Sequence, residues 1–539
     1  MKTRKSLLVV LMLAMSMVLA ACGSKGGSTT GYTLPELGDR YALDENTPAW
    51  KLDTNKETTT LTWYVNADWW NTDFGNDVVT KKIKEDLNID IKFITGDDTK
   101  LNTFFAGEDL PDIITVFDKN SPVAKKANTW AIPLDELATA YDPHFKKVAS
   151  EDSFNWYALE DGKTYGYPNY SNTAADYESG MIPATTAFVV RDDVQKALPD
   201  LDFTTQAGFV KSMNAIKEKF PELVPFGFDP MSQSVGPMTN VLQDMLGIPL
   251  VDENNEFYQR DLDPEYQSWI ATMNEVYRNG GITDDSFSDD GTTFEEKIKQ
   301  GNYATLLING TPQRSGQLEE FTANSEGKRY IAVDAMDHSK GNAKTLNQSG
   351  ISGWMSTYVT TKNADPIKTI QLFTYLLSEE GQILTNFGIE GETFTKNAEG
   401  QYVLTPEFAE MRQKESDKFK KEYRLGEFII FGHDKYKAMS PDGFPSSIRQ
   451  MQEWGEGKLY PHFVLENIQP EAGSAEARNL TAIQTQWNTT LVSMIRSKDE
   501  AELNGHMDAY KAFLESNNFA GIQEIYTKNI KANIERLEK

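Results

Sequence analysis

Residues 66–71, Asn-Ala-Asp-Trp-Trp-Asn, bring together side chains suited to binding a sugar. A sugar presents flat apolar CH faces and a ring of hydroxyls, so its site combines aromatic rings with planar amide and carboxylate groups. Asn66, Asp68, Trp69 and Trp70 supply both kinds within five residues. One tryptophan could belong to the core while the other covers a loop, but two adjacent tryptophans cannot easily face one core. We therefore expect at least one of them in a ligand site.

Two further aromatic stretches could line the same site. The loop at 164–170, TYGYPNY, contains three tyrosines, including Tyr167 and Tyr170, that suit half-exposed hydrogen bonding. A surface turn stacked around Pro168 is the alternative for this loop. Trp354 lies in the glycine-flanked stretch GISGWMS, where plain core packing is the alternative.

The sequence contains no recognisable catalytic or metal-binding motif. Its histidines are never closer than 29 residues, which excludes a ligand pair of the HExxH type. Gly162 begins a G-K-T, but Tyr157 stands where a phosphate loop needs its first glycine. Neither a G-x-S-x-G elbow nor a G-x-G-x-x-G fingerprint is present. We expect no catalytic residue, no metal and no cofactor, although sequence alone cannot locate the carboxylate pair of a glycosidase.

The elements that must position these residues follow an α/β pattern. Alternation and four-residue spacing predict a strand at 59–65, a helix through 79–87, a strand at 89–93 and a buried strand within 110–118. This order implies a right-handed, doubly wound sheet. Ligands bind such sheets outside the carboxyl ends of the strands, an edge marked here by 66–70 and 118–120.

A second series of strands and helices begins at AFVVRDD, residues 187–193. Thr204 or Thr205 can cap the helix that follows, and ATLLING at 304–310 predicts another buried strand. Asp365 can cap a later amphipathic helix. Towards the end of the chain the pattern is mostly helical.

The first 22 residues predict export and a lipid anchor. Lys2, Arg4 and Lys5 precede an apolar stretch of 15 residues, Ser6–Ala20, which suits a signal peptide over 1–21. Leu-Ala-Ala-Cys then resembles a bacterial lipobox, so Cys22, the single cysteine of the chain, is the predicted lipidation site. An ordinary secretory signal with a cysteine at its cleavage site is the alternative. Small, flexible residues at 23–31 predict a tether.

The charge of the chain restricts its partners. The formal net charge is -27, and removal of residues 1–21 takes away three basic and no acidic side chains, which leaves -30. Such a chain repels phosphate backbones and anionic headgroups, so we expect no nucleic-acid partner and no electrostatic membrane binding. Solubility alone also accounts for acidic composition in exported proteins.

Together, these features resemble a known family, the extracellular solute-binding lipoproteins of carbohydrate ABC transporters, similar in plan to maltose-binding proteins and especially to their long Gram-positive members. Four stretches carry the resemblance: DGKTYGYP at 161–168, the strand and helix within 187–222, the helix ending GGITDDSF at 263–287, and the helix running into a GIEG turn at 365–394.

The resemblance implies a periplasmic-binding-protein-like fold, two α/β lobes joined by crossover strands with a helical C-terminal part. The implied division begins with a tether and extended segment at 22–56. Lobe 1 then comprises 57–182 and 336–395, and lobe 2 comprises 183–335. A mainly helical part at 396–539 packs on lobe 2 and the hinge. Many long members carry a calcium loop at the place that reads FPELVPFGFDP here, at 220–230. Because this stretch lacks alternating oxygen ligands, we expect no calcium there.

In that family the two lobes close on an oligosaccharide, and the loaded receptor docks on a membrane permease. The resemblance thus implies a monomeric, lipid-anchored binding protein on the extracellular face of the cell membrane, with oligosaccharide and ABC-transporter permease subunits as partners. The implied ligand contacts, carried over by position, are Asn66, Asp68, Trp69, Trp70, Asp118, Tyr167, Tyr170 and Trp354. A secreted glycosidase-like enzyme and a lipoprotein that presents its ligand to a membrane sensor are the alternatives.

Overall fold

The computed structural model of the protein describes residues 32–538, except 118–120, 233, 349, 416–417, 442–445 and the side chain of Gln413. The predicted signal peptide, the lipidation site Cys22 and the predicted contact Asp118 lie outside the described residues. Within the described part, no helix has both the length and the apolar character needed to cross a membrane.

Strands and helices alternate over most of the described chain, and long helices end it. Strands β1 to β11 are, in order, Thr59–Val65, Ile89–Thr95, Ile113–Val116, Gly166–Pro168, Thr186–Arg191, Val224–Phe228, Tyr303–Asn309, Tyr330–Ala332, Ser356–Val359, Phe394–Lys396 and Tyr402–Leu404. The α-helices are Ala49–Leu52, Val78–Leu87, Asp98–Gly107, Pro122–Lys125, Leu134–Tyr141, Phe145–Val148, Glu151–Trp156, Ala174–Glu178, Asp192–Ala197, Gln206–Lys219, Asn240–Met245, Pro264–Arg278, Asp285–Ser288, Gly291–Lys299, Thr311–Asn324, Pro366–Leu377, Glu379–Phe387, Pro406–Lys414, Asp434–Ala438, Ser446–Trp454, Ala475–Ile495, Glu500–Ser516 and Phe519–Leu537.

The first sheet begins with the parallel strands that the sequence predicts. β1 pairs with β2 along its whole length, from Thr59 opposite Ile89 to Val65 opposite Thr95, and pairs with β3 on its other side. The full strand order is β2-β1-β3-β9-β4, with β9 antiparallel to both neighbours. The carboxyl ends of β1, β2 and β3 therefore lie along one edge.

The second sheet has the order β6-β7-β5-β8. β6 and β7 are parallel, whereas β5 runs antiparallel to β7 and β8. Thr186, the first residue of β5, lies opposite Asn309, the last residue of β7. The segment before β5 and the loop after β7 consequently share one edge of this sheet.

Two predicted helix starts are confirmed by their caps. The Thr205 hydroxyl accepts a hydrogen bond from the backbone N–H of Gly208 at 3.1 Å. The Asp365 carboxylate accepts one from the backbone N–H of Lys368 at 3.0 Å, with Pro366 as the first helical residue. Each cap satisfies an N–H that has no partner within its own helix.

Each sheet packs in its own hydrophobic core. Trp63 of β1 and the buried helix Pro366–Leu377 belong to the first core, whereas Phe188 of β5 and Trp269 belong to the second. The chain thus folds as two α/β lobes, each with a separate apolar interior, which is the architecture that the sequence predicts.

The chain after residue 396 contributes to both cores. Tyr402, Phe408 and Phe431 pack in the first core, whereas Trp487 and Ile530, from the long C-terminal helices, pack in the second. This whole part was expected on lobe 2 and the hinge, but the aromatic side chains of 402–431 instead fill the first lobe. The exact boundaries of the lobes stay predictions.

The lobes are joined where the chain passes from β4 to β5 and returns from β8 to β9. These crossing segments are hydrogen-bonded to one another and to a later loop. The backbone N–H of Asn169 donates to the carbonyl of Met355 at 3.0 Å, and that of Tyr170 donates to Gly432 at 2.7 Å. The connection is therefore a set of paired segments.

Candidate functional site

The loop after β1 turns back immediately at the end of the strand. The backbone N–H of Ala67 donates to the carbonyl of Val65 at 2.8 Å, and that of Trp70 donates to Ala67 at 3.2 Å. These turns keep the loop at the carboxyl end of β1, the edge where ligands approach open α/β sheets. The predicted contacts of this loop thus lie at the expected edge.

Asn66 and Asp68 have different surroundings in this loop. The Asn66 side chain accepts a hydrogen bond from the Tyr64 hydroxyl at 2.8 Å and donates one to Asp98 at 2.8 Å. Asp68 is exposed. Asn66 therefore orders the loop, while the carboxylate of Asp68 is accessible to a ligand.

The two adjacent tryptophans occupy opposite environments. Trp69 is 62% exposed and Trp70 only 4%. The Trp70 ring packs in the first core against Phe93 and Phe428, at centroid distances of 5.7 and 5.8 Å. Trp70, expected as a ligand contact, is therefore a core residue, and the expectation that one of the pair serves a site rests on Trp69.

Arg424, which no sequence pattern indicates as a site residue, holds this loop in place. Its buried guanidinium donates to the carbonyls of Asn71 at 2.8 Å and Asp73 at 2.6 Å, and lies 5.3 Å from the centroid of the Trp70 ring. Burial lowers the pKa of Arg424, and the Asp77 carboxylate 3.8 Å away opposes that shift. No local pattern could reveal this role, because Arg424 and the loop are far apart in sequence.

Trp69 begins a row of aromatic side chains that we call the aromatic wall: Trp69, Phe117, Trp354 and Tyr170. Successive ring centroids lie 6.1, 5.7 and 6.2 Å apart, and the last pair is 18° from parallel. Trp354 is 37% exposed, and Phe117 and Tyr170 are half-buried. The wall therefore offers aromatic surface on which the apolar faces of sugars can stack.

Phe117 was missed as a site residue, although it lies next to the end of the segment 110–118 that the sequence predicts to contain a buried strand. It directly follows the last residue of β3, Val116. Because β1 and β3 are parallel neighbours, the residues after both strands lie at the same edge. A signal was therefore available in the sequence.

Trp354 is positioned by the glycine before it. Gly353 has φ +58°, and a Cβ atom there would lie 1.9 Å from the carbonyl oxygen of Asn169. The backbone N–H groups of residues 351–352 each donate to the Glu466 carboxylate at 2.9 Å. Gly353 thus permits a close approach of two crossing segments, and this approach orients Trp354.

A cleft of about 460 Å³ lies between the lobes beside this wall. Tyr170 and Trp354 line it from the first lobe, and Thr185 and Gln313 line it from the edge of the second sheet. Its described lining is Tyr170, Pro183, Thr185, Pro312, Gln313, Ser315, Gln348, Trp354, Asn386, Phe387, Leu404, Arg412, Phe419, Leu425, Gly426, Ile429, Asp434 and Lys437. The hydroxyl and amide side chains of this lining, such as those of Thr185, Gln313 and Ser315, can exchange hydrogen bonds with sugar hydroxyls.

Lys437 and Asp434 form a charged pair in the cleft, whose described lining also includes Arg412. The Nζ atom of Lys437 lies 3.4 Å from the Asp434 carboxylate and 5.3 Å from the centroid of the Tyr170 ring. Burial alone would lower the pKa of Lys437, but Tyr170 and Asp434 raise it above its ordinary value. The ammonium form is therefore stabilised at neutral pH.

Asp434 is the one carboxylate among the described residues that line the cleft. Glycoside hydrolysis uses two carboxyl groups separated by roughly 5 to 9.5 Å. The described lining does not supply that pair. Among the described residues there is likewise no group of three His, Cys, Asp or Glu side chains arranged as metal ligands.

Tyr167, expected as a ligand contact, does not face the cleft. It is 5% exposed, and its hydroxyl accepts a hydrogen bond from the backbone N–H of Ser150 at 2.7 Å. It lines a separate cavity of about 280 Å³, where His433 lies 3.4 Å from Asp176. Tyr170 lines both spaces, so the structure brings together Trp69, Tyr170 and Trp354 from the predicted set.

No protein-family model and no curated protein matches the sequence. Solved structures do match it. The alginate-binding protein AlgQ2 has a TM-score of 0.65 at 15% identity, covering 88% of this chain and 99% of that chain. The Streptococcus pneumoniae ABC-transporter substrate binding protein FusA, an EF-hand mutant in complex with fructo-nystose, has a TM-score of 0.62 at 16% identity, with the same coverage.

An extracellular solute-binding protein from Bifidobacterium longum subsp. infantis has a TM-score of 0.65 at 13% identity, covering 89% of this chain and 99% of that chain. Nearly the full length of each of these proteins aligns with this chain. The chain therefore has the two-lobe, periplasmic-binding-protein-like fold of extracellular solute-binding proteins.

Proposed function

We propose that this protein is a receptor that binds an oligosaccharide between its two lobes and delivers it to an ABC-transporter permease. The observation that carries the proposal is the aromatic wall, which runs into the interlobe cleft at the carboxyl edge of the first sheet. Several adjacent rings suit a chain of sugars better than a single sugar, because each ring can cover one sugar face.

The polar lining supports a sugar ligand. Thr185, Gln313 and Ser315 from the second lobe lie across the cleft from Trp354 and Tyr170 of the first lobe. A ligand stacked on the wall could therefore exchange hydrogen bonds with the opposite lobe. Such contacts form fully only when the lobes approach each other, so ligand binding would favour the closed arrangement.

The proposed place of action rests on the N-terminal sequence. A lipid on Cys22 would hold the receptor at the extracellular face of the membrane, where its effective concentration near a permease is high. The solved structures with the same fold include proteins named as ABC-transporter substrate binding proteins, which supports this role. A pull-down from membranes of the native host would distinguish a permease partner from a sensor.

The first experiment is a titration of the chain from residue 32 onward, monitored by tryptophan fluorescence. The probes are tetrasaccharides of glucose, xylose, mannose and fructose, with the monosaccharides and short peptides as controls. We expect a saturable change at micromolar concentration for one tetrasaccharide, with no hydrolysis products after hours. Product formation would instead indicate a glycosidase, and a response to peptides alone would refute the carbohydrate assignment.

A further inference from the structure

The cations at the cleft have carboxylate partners. Lys437 lies 3.4 Å from Asp434, and both line the cleft. Both side chains are less than a quarter exposed, Lys437 at 24% and Asp434 at 20%. Because a partly buried pair is screened little by solvent, its mutual attraction persists at physiological salt.

Arg412, the other cation of the described lining, lies near a carboxylate of the opposite lobe. Glu319 belongs to the helix Thr311–Asn324 of the second lobe, and Arg412 to the helix Pro406–Lys414. Burial raises the pKa of Glu319, and the Arg412 guanidinium opposes that shift. The Arg412 guanidinium therefore favours the ionised form of a carboxylate of the opposite lobe.

A cation at the rim of the second lobe is also paired with carboxylates. Arg314, beside the lining residues Gln313 and Ser315, lies 2.6 Å from Asp229 and also pairs with Glu295. Its guanidinium is thus held by two carboxylates of its own lobe.

Paired charges favour some ligands over others. A carboxylate on a ligand gains most from an ammonium or guanidinium group that can turn towards it, and at Lys437 it would have to displace Asp434. The net charge of -30 expected after removal of residues 1–21 adds a further repulsion. Hydroxyl groups, in contrast, can donate to the carboxylate and accept from the cation of the same pair.

We infer that the cleft selects neutral oligosaccharides and discriminates against chains that carry uronate groups. This inference rests on the proposed function and specifies its substrate class. One solved structure with this fold is an alginate-binding protein, but at 15% identity that similarity extends to the fold alone.

The test compares neutral tetrasaccharides of glucose, xylose, mannose and fructose with tetramers of alginate and of galacturonate, by calorimetric titration. We expect the best neutral probe to bind at least tenfold more tightly than either uronate. If a uronate binds as tightly or more tightly, the receptor function stands and the inference is wrong. If no sugar binds, both are wrong.

A variant pair tests the physical cause. Asp434→Asn frees Lys437 within the cleft and should improve uronate binding at least tenfold. Glu410→Gln is the matched control, because it makes the same change in charge and frees Lys414 on the exposed outside of a helix. Equal uronate affinities in both variants would show that the pairing of Lys437 with Asp434 does not weaken uronate binding, which would overturn the proposed cause. Thermal unfolding of each variant verifies the fold. If Asp434→Asn does not fold, the comparison of neutral and uronate tetramers on the unmodified protein decides the inference.

Discussion

Replacing Trp69 by alanine should weaken ligand binding and leave stability unchanged, whereas replacing Trp70 should have the opposite pattern. The two residues are adjacent, yet Trp69 is 62% exposed and Trp70 is 4% exposed. The Trp69 mutation should therefore change the binding affinity alone, and the Trp70 mutation should change the stability of the fold. This contrast tests the site and the fold in one experiment.

The expected loss at Trp69 follows from the surface it offers. A tryptophan side chain has about 250 Å² of surface, and 62% exposure leaves roughly 150 Å². A sugar stacked on one face would cover about half of that, and at about 25 cal/mol per Å² this burial contributes about 2 kcal/mol. Trp69→Ala should thus weaken binding about 30-fold, and Trp69→Phe should retain most of the affinity.

The expected loss at Trp70 is one of stability. Its ring contacts Phe93 and Phe428 and lies 5.3 Å from the Arg424 guanidinium. Truncation of a buried tryptophan to alanine leaves a cavity, so the free energy of unfolding should fall by about 3 to 5 kcal/mol. Trp70→Phe is the milder variant if the alanine variant does not fold.

The assays are calorimetric titration with the best tetrasaccharide and urea unfolding of the ligand-free protein. Full affinity in Trp69→Ala would remove the aromatic wall from the binding site. Loss of affinity in Trp70→Phe, at unchanged stability, would show that the loop opens and that the assignment of Trp70 to the core is incorrect.

Three other changes test neighbouring parts of the site. Gly353→Ala should displace Trp354 and weaken binding at least tenfold in the same titration, because the new methyl would meet a backbone carbonyl; unchanged affinity would contradict this positioning role. Arg424→Lys should lower both affinity and melting temperature, since a lysine cannot reproduce the two hydrogen bonds and the ring contacts of the guanidinium. Burial alone would raise the pKa of Asp176, but its hydrogen bonds, first that with His433, lower it from 3.8 to about 2. This stabilisation is present above pH 3.8 and disappears as pH falls towards 2, so Asp176→Asn should flatten the fall in melting temperature over that interval; parallel curves would refute it.

The strands of the first sheet could be predicted because their signals are local. β2 alternates apolar and polar residues, β1 is rich in threonine, aromatic and β-branched residues, and β3 is a short buried run, as expected in a parallel sheet. The Asp365 cap could be predicted for the same reason, since its partner, the N–H of Lys368, is three residues away.

The site could be predicted only in part, because its details depend on distant segments. The pattern NADWWN identified the right loop, but only the core around Phe93 and Phe428 decides which tryptophan is buried. Arg424 supports the loop from more than three hundred residues away. No spacing rule can predict such a contact before the tertiary fold is known.

If the proposed function is correct, the position of the aromatic wall couples ligand binding to movement of the lobes. Tyr170 and Trp354 lie on the two crossing segments between β4 and β5 and between β8 and β9, whereas Trp69 and Phe117 follow strands of the first lobe. The backbone of Tyr170 is hydrogen-bonded to Gly432, so this ring is fixed to the hinge. A ligand stacked along the whole wall would therefore contact the hinge and the first lobe at once. Its remaining hydroxyls would face the second lobe, and only an arrangement with the lobes close together satisfies all three sets of contacts, which is why binding should shift the population towards closure.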